Sequence, residues 1–326
     1  MQTFGKILAG IVITLSLLTS CSSTRVGVLN AARNHSECNQ NISYNYSKKD
    51  MPTPFYDIEL DSNMTAHFSR SSLFIANSIG IMDILTHYVS LKTDDSTKLN
   101  IEKRIELLET TLKINQKINN ASIEISSITS ELDCEEERAD QVGNYLKGKE
   151  DETETRLTVG TIIVGALGTL STAIFLKDEK HQDVADFIGI AGGVTEAVLG
   201  TMILLNKRKI VFLHPRNILH EVWNKADTST IFPAFVWNHL TYKNPYDSTS
   251  TSICEDLIKK WSDFGQISEY KKKKAKKQHD VYFGKGGLYT SEQLKNRSDM
   301  IDQLEAQISM MKQALRTLAI ELENME

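Results

Sequence analysis

Two long stretches of the chain place apolar residues at the three- and four-residue steps of a helix. The first, residues 99–132, would form a helix of about 50 Å at 1.5 Å per residue. The second lies at the carboxyl-terminal end and follows heptad a and d positions without a miss. Thr290 and Gln293 predict a capping box at its start. The heptad positions are Ile301, Leu304, Ile308, Met311, Leu315, Leu318, Leu322 and Met325.

The first stretch carries one narrow apolar seam among lysines, glutamates, asparagines and serines. Its members are Ile101, Ile105, Leu108, Leu112, Ile118, Ile125 and Leu132. A seam this narrow needs another helix to cover it. We therefore expect either the carboxyl-terminal helix of the same chain or a second subunit to pack there. A shorter stretch, residues 71–92, has the same period and predicts a helix that contributes to the core.

Between the two long helices lie two apolar segments joined by a short polar link. Leu157–Leu176 contains no charged residue, and Phe187–Asn206 contains only Glu196. About twenty helical residues cover the ~30 Å hydrocarbon thickness of a bilayer. The pattern predicts an antiparallel, glycine-rich helical hairpin over residues 157–206.

Small residues recur at every fourth position in both halves of this hairpin. Gly165 belongs to the first half, and Gly189 with Gly193 forms a GxxxG pair in the second. Such positions let two helix backbones approach closely in a membrane. Glu196 lies at the edge of the small-residue face, so we expect it to point into the hairpin or an oligomer interface. A carboxylate inside a membrane is a candidate functional group; a protonated carboxyl bonded to a neighbouring helix is the simpler alternative.

The sequence leaves three arrangements of the hairpin open. The hairpin crosses the inner membrane, forms the core of a soluble bundle, or enters a membrane only after a conformational change. The basic cluster Lys207–Lys209 lies on the side that a membrane crossing would leave outside the cytoplasm, against the positive-inside tendency. Charge therefore does not decide among the three.

The first residues have the order of an export signal. Lys6 precedes an uncharged apolar stretch, Ile7–Leu18, which is short for a membrane span. The sequence Leu18-Thr19-Ser20-Cys21 resembles the lipobox of bacterial lipoproteins. This resemblance implies that Cys21 becomes the lipid-modified first residue of the mature chain. An ordinary signal peptide and an uncleaved anchor are the alternatives.

The lipobox resemblance also implies a location in the bacterial cell envelope, with membrane lipid as a partner. Ser22 and Ser23 stand where the family typically uses aspartate for inner-membrane retention, which favours the outer membrane in a Gram-negative cell. The segment that follows is rich in asparagine and serine, with Pro52 and Pro54 close together. We expect it to be a polar tether between lipid and folded protein.

The predicted fold class is mainly α, with long coiled-coil-like helices flanking the hydrophobic hairpin and a small aromatic-rich module. The expected divisions are a signal peptide (1–20), a polar tether (21–65), a helical arm (66–150), the hairpin (157–206), an aromatic-rich module with a lysine run (207–287) and a carboxyl-terminal coiled-coil helix (288–326).

Composition narrows the class of protein. The net charge of −5 argues against a nucleic-acid partner, and five prolines in 326 residues argue against an all-β design. Once Cys21 is set aside, Cys38, Cys134 and Cys254 remain. One disulfide is compatible with an oxidising envelope, but the spacing does not say which pair forms it.

All three tryptophans fall within residues 210–287, with several phenylalanines and tyrosines. This cluster predicts a compact aromatic core, with a membrane-interface belt as the alternative. A lysine run in the same region would bind anionic lipid or form a solvated loop. Its members are Lys271, Lys272, Lys273, Lys274, Lys276 and Lys277.

No motif for catalysis, metal binding or a cofactor occurs. There is no HExxH, Walker A or GxSxG sequence, and His214, His220 and His239 stand apart from metal-ligand spacings. We nominate no catalytic residue, metal or cofactor. An enzyme hidden in residues 210–287 is kept as an alternative, with His239, Glu255 and Asp256 as the polar residues to test.

The first functional hypothesis is a membrane-tethered lipoprotein with a structural, scaffolding or assembly role, acting through helix–helix and membrane interactions. The order long helix, apolar hairpin, long helix is similar in layout to α-helical pore-forming toxins. That resemblance implies a hairpin stored against the bundle that later inserts into a membrane. It is the rival hypothesis, and no shared motif accompanies it.

Overall fold

The computed structural model describes residues 36–39, 42–96, 100–175, 182–267 and 279–325. Over these residues the chain is mainly helical, which confirms the predicted fold class. The signal peptide, Cys21 and the six-lysine run lie outside the described residues.

The elements follow one another in a simple order. Two 3-10 helices, Lys48–Asp50 and Phe55–Asp57, precede α1 (Ser62–His67), α2 (Arg70–Ser78), α3 (Met82–Thr93), α4 (Ile101–Phe175), α5 (Gln182–Leu205), β1 (Ile210–Leu213), α6 (Ile218–Asn224), α7 (Ala234–Thr241), α8 (Ile253–Asp263), β2 (Gly286–Tyr289) and α9 (Ser291–Asn324). Strands β1 and β2 pair antiparallel, with Ile210 opposite Tyr289 and Leu213 opposite Gly286. These two strands were not predicted.

Helix α9 packs antiparallel along α4 and buries the predicted heptad seam. Leu294 lies against Gly143, and Leu322 lines the same groove as Thr111, so the two helices run in opposite directions. Every predicted a and d position from Ile301 to Leu322 is buried, and Met325 is partly buried. The capping box of Thr290 and Gln293 is present. The prediction that α9 covers α4 is therefore confirmed for this part of α4.

The prediction is wrong for the beginning of α4. Ile125 and Leu132 are buried as expected, but Ile101, Ile105, Leu108 and Leu112 are exposed. Helix α4 has 75 residues and is about 110 Å long, whereas α9 has 34 residues. Because α9 ends opposite Thr111, the first three turns of α4 extend beyond it.

The single helix expected over residues 71–92 is divided in two at Gly80. Gly80 has a φ of +70°, which glycine adopts without steric cost. The Ile81 N–H donates to the Ala76 carbonyl at 2.9 Å, and the Gly80 N–H donates to the Asn77 carbonyl at 3.0 Å. These two bonds form a Schellman motif that ends α2. The apolar period continues across the break because Ile81 is also buried.

The expected tether is corrected over the described residues, because this segment packs on the folded body. Cys38 forms a disulfide with Cys134 of α4, and Cys254 is a buried free thiol. Tyr44 donates its backbone N–H to the Thr230 carbonyl at 3.0 Å, and Phe55 is buried. The asparagine- and serine-rich composition concealed these contacts, since they depend on single aromatic residues and one cysteine.

The aromatic residues after α5 form a compact core, as predicted. Trp237, Trp261 and Phe232 are fully buried, and the Phe232 and Trp237 rings stack with centroids 5.7 Å apart. The Trp237 indole N–H donates to the Ala226 carbonyl at 2.9 Å. Tyr246, in contrast, is exposed.

Two buried arginines join this aromatic module to the long helices. Arg138 of α4 pairs with Glu135 at 2.7 Å and lies 4.1 Å from the centroid of the Phe212 ring. Arg297 of α9 is fully buried and donates to the Tyr282 carbonyl at 3.1 Å and to the Asn217 side-chain oxygen at 3.3 Å. A buried guanidinium needs such acceptors, so these contacts fix how the module sits on α4 and α9.

Replacing Leu304 with alanine tests the α4–α9 core. Leu304 is fully buried, so Leu304→Ala should lower the free energy of unfolding by about 2–5 kcal/mol in denaturant titrations. Met310→Ala, at an exposed position of the same helix, should change it by less than about 1 kcal/mol. Equal effects of the two substitutions would contradict the assigned packing.

His239 should make stability depend on pH. Burial lowers the pKa of His239 to about 4, below the ordinary value of about 6.5 expected in the unfolded chain. As pH falls from 6.5 towards 4, the unfolded state binds a proton that the folded state does not. The contribution of His239 to the free energy of unfolding is therefore fully present above pH 6.5. It decreases as pH falls through this window, by up to about 1.4 kcal/mol per pH unit.

The matched variant is His239→Phe, which removes the titrating ring and keeps its packing on Phe74. We expect urea titrations to show a shallower pH dependence between pH 6.5 and 4, with the remaining slope due to groups such as His214. Identical slopes for the parent and the variant would show that His239 is not responsible.

Candidate functional site: an exposed apolar helical hairpin

The end of α4 and the whole of α5 form the predicted helical hairpin, packed side by side. The two helices turn their half-buried positions towards each other. On α4 these include Thr161 and Gly165, and on α5 they include Glu196 and Leu199.

Over residues 157–170 and 190–205, the outer surface of the hairpin carries no charge and is largely apolar on both helices. Large apolar side chains are exposed on both helices instead of packing on the folded body. They are Val159, Ile162, Ile163, Leu167 and Leu170 on α4, and Ile190, Val194, Val198, Met202, Leu204 and Leu205 on α5. No charged residue occurs in 157–170, and Glu196 is the only one in 190–205. A patch of this size marks a surface that contacts something other than water.

Glu196 points inwards, where it meets Gly165. A Cβ atom placed on Gly165 would lie 2.5 Å from Oε1 of Glu196, so the missing side chain of Gly165 makes room for the carboxylate. The prediction that Glu196 points into the hairpin is confirmed. As a consequence, the only charged side chain within 157–170 and 190–205 is turned away from the outer surface.

Gly193, another of the predicted glycines, does not lie at the contact between the two helices. A Cβ atom on Gly193 would meet no atom within 4 Å, so Gly193 faces outwards and does not contribute to α4–α5 packing. The expectation of close packing at Gly193 is therefore corrected within this hairpin. Gly189 lies in α5, but its surroundings fall outside the described part of the chain. The fourfold spacing identified the right kind of helix without showing which face is inside.

A buried carboxylate, Glu150, holds the base of the hairpin. Its side chain accepts the Ser291 hydroxyl at 2.7 Å and the backbone N–H of Arg208 at 2.8 Å. The Asn206 side-chain amide donates to the Glu150 carbonyl at 2.9 Å. One residue thus connects the outgoing helix, the returning chain and the start of α9. Glu150 was not singled out in the sequence, because it is one glutamate in a run of charged residues.

Charged residues mark the base on both sides. Arg156 pairs with Glu152 at 2.7 Å just before the apolar part of α4 begins. Lys207 lies 3.6 Å from Glu292 just after α5 ends. The polarity of the surface therefore changes within about one helical turn, as it does at a boundary between water and an apolar phase.

The three histidines named above serve packing. His214 lies 2.8 Å from the Tyr289 hydroxyl, and burial together with Arg297 lowers the pKa of His214 to about 2. His220 contacts the Phe283 carbonyl through Nδ1 at 2.7 Å. His239 packs on the ring of Phe74.

The acidic residues of the enzyme alternative belong to a helix end. Glu255 forms the capping box of α8 with Ser252 and accepts from Lys243 at 3.3 Å. Asp256 follows in the same first turn. Within the part of the chain that the structure describes, no group of three His, Cys, Asp or Glu side chains is arranged to hold a metal ion.

Among the described residues, no helix combines the length and the hydropathy that crossing a membrane requires. Comparison of the chain with family models, curated proteins and solved structures gives no match.

Removing the Glu150 side chain should loosen the base of the hairpin. Glu150→Ala leaves the Ser291 hydroxyl and the Arg208 N–H without their acceptor, which should cost about 1–3 kcal/mol of unfolding free energy. Hydrogen exchange at residues 206–209 should accelerate. Glu154→Ala, at an exposed position one turn later in the same helix, is the matched control. Unchanged exchange in Glu150→Ala would contradict this role.

Proposed function

We propose that this chain is a membrane-tethered bacterial lipoprotein with a structural or assembly role in the cell envelope, and that its hairpin is buried in lipid. The observation that carries the proposal is the outer surface of the hairpin, which is uncharged on both helices over residues 157–170 and 190–205. A folded protein partner covers one face of a helix pair, whereas lipid surrounds it. Burial of this surface is favourable by roughly 25 cal/mol per Å².

The inward position of Glu196 supports this choice of environment. A carboxylate on the outer surface would cost several kcal/mol in hydrocarbon. Because Gly165 receives it between the helices, the outer surface over residues 157–170 and 190–205 stays free of charge. The charged base at Arg156 and Lys207 would then lie at the level of the lipid headgroups, where such side chains are favourable.

The lipid anchor and the hairpin can reach the same bilayer. The disulfide holds Cys38 at Cys134, and Leu157 begins the apolar part of the hairpin about 35 Å further along α4. The chain from Cys21 to Cys38 can extend at most about 60 Å. Acyl chains on Cys21 and the hairpin can therefore enter the same bilayer from the same side. The disulfide also fits an oxidising compartment outside the cytoplasm.

The rival pore-forming hypothesis requires a hairpin stored against the bundle. In the described residues the hairpin instead exposes its apolar side chains. We therefore favour a hairpin that is in lipid from the time the protein reaches its membrane. Dye-loaded liposomes separate the two hypotheses, because a scaffold should leave them sealed and a pore-forming protein should empty them.

Liposome flotation of the unacylated mature chain tests the proposal directly. The variant Cys21→Ser should float with lipid through its hairpin alone. Adding Ile163→Lys and Val194→Lys should reduce the bound fraction at least tenfold, since each charge costs about 2.5–3.5 kcal/mol in hydrocarbon. The control pair Ile123→Lys and Met310→Lys changes exposed apolar residues away from the hairpin and should have no effect.

Fractionation in cells completes the test. If Cys21→Ser resists carbonate extraction as the wild type does, the hairpin holds the protein in the bilayer. If only the wild type resists, lipidation is the sole anchor and the role of the hairpin is wrong. Release of both proteins would end the membrane proposal.

A further inference from the structure

The first three turns of α4 carry an exposed apolar stripe that no described residue covers. The stripe, called here the α4 stripe, consists of Ile101, Ile105, Leu108 and Leu112, with between 51% and 64% of each side chain exposed. With Tyr88 and Lys92 of α3, most of it lines an open groove of about 520 Å³. Helix α9 ends opposite Thr111 and does not reach it.

A bilayer that surrounds the hairpin would not cover this stripe either. Leu112 and Leu157 are separated by about 68 Å along α4. A bilayer that holds the hairpin is therefore far from the α4 stripe. A separate occupant is needed; this inference goes beyond the proposed function and rests on it only for holding two copies on one membrane.

The spacing of the stripe specifies a helix as that occupant. Steps of four, three and four residues make Ile101 a d position, Ile105 an a position, Leu108 a d position and Leu112 an a position. Ile105 at a and Leu108 at d are the pair typical of a two-stranded parallel coiled coil, whereas Ile101 at d and Leu112 at a are the reverse. The apolar residues therefore specify a helical partner, and the charges beside them specify its orientation.

The charges beside the stripe select the orientation. Arg104 is at a g position and Glu109 at the following e position; both are exposed, and neither forms an ion pair with a described residue. In a parallel pair of identical helices, g of one helix faces the next e of the other, so Arg104 faces Glu109 of the second copy twice. In an antiparallel pair, e faces e, which would bring Glu102 and Glu109 together.

We propose that the α4 stripe docks against the same stripe of a second copy of this chain, in parallel and in register. The seam covers about three turns and is short for a coiled coil that stands alone. Two copies held on one membrane meet at a high effective concentration, which compensates for a short seam. In a parallel pair, both hairpins also point towards the same membrane.

Cysteine cross-linking in membranes containing the full chain tests the orientation. Ile101→Cys and Leu112→Cys, each alone, should form disulfide-linked dimers on oxidation, because parallel register places each residue opposite itself. Lys113→Cys, an exposed b position on the same helix, should not. Cross-linking only when the two cysteine variants are mixed would show an antiparallel pair and overturn the proposal. Absence of dimers at both positions, or equal dimers at Lys113→Cys, would overturn it as well.

A charge-reversal cycle tests the partner residues. Arg104→Glu and Glu109→Arg, each in the Leu112→Cys background, should lower the cross-linked fraction by roughly fivefold or more, since two ion pairs become two repulsions. The double variant should recover the parent value, because the pairs are restored with reversed sign. Recovery also shows that the single variants fold. Failure of the double variant to recover, with unchanged circular dichroism, would refute the pairing.

Discussion

The packing of α9 along α4 is the constraint on which the rest of the molecule depends. Over the length that the two helices share, apolar residues such as Leu304 and Leu132 are buried in a common core. Helix α4 is more than twice as long as α9, so it extends past α9 at both ends. One extension carries the α4 stripe, and the other carries the hairpin. Both surfaces assigned to binding thus arise from a difference in helix length.

Polar contacts at the edges of this core fix the parts that the helices carry. Arg138 and Arg297 insert into the aromatic module, where backbone carbonyls and the Asn217 side-chain oxygen accept hydrogen bonds from their N–H groups. Glu150 connects the return of the hairpin to the start of α9. A buried charged group is costly unless its partners are in place, so each of these contacts permits few alternative arrangements. The apolar seam provides most of the stabilisation, and the contacts of the buried charged residues fix the positions of the aromatic module and the hairpin relative to α4 and α9.

Periodic features were predictable, and single contacts were not. The α9 heptad, its capping box and the apolar hairpin follow from the sequence, because each repeats a pattern over many residues. The same period in Ile101 and Leu132 gave no sign that one is exposed and the other buried, since burial depends on where α9 ends. Gly193 was misplaced for a similar reason: spacing defines a helix face but not the neighbour of that face. Glu150 and the partner of Cys38 depend on residues brought together from distant parts of the chain.

The disulfide between Cys38 and Cys134 has a mechanical consequence. Tension applied to the amino-terminal end of the chain passes through the sulfur atoms directly into the middle of α4. The 95 residues between the two cysteines include helices α1 to α3 and form a loop closed by the disulfide. Because the force passes through the disulfide, this loop does not carry it. Pulling therefore loads a long helix that is supported by α9, and leaves the smaller helices and their weaker contacts undisturbed.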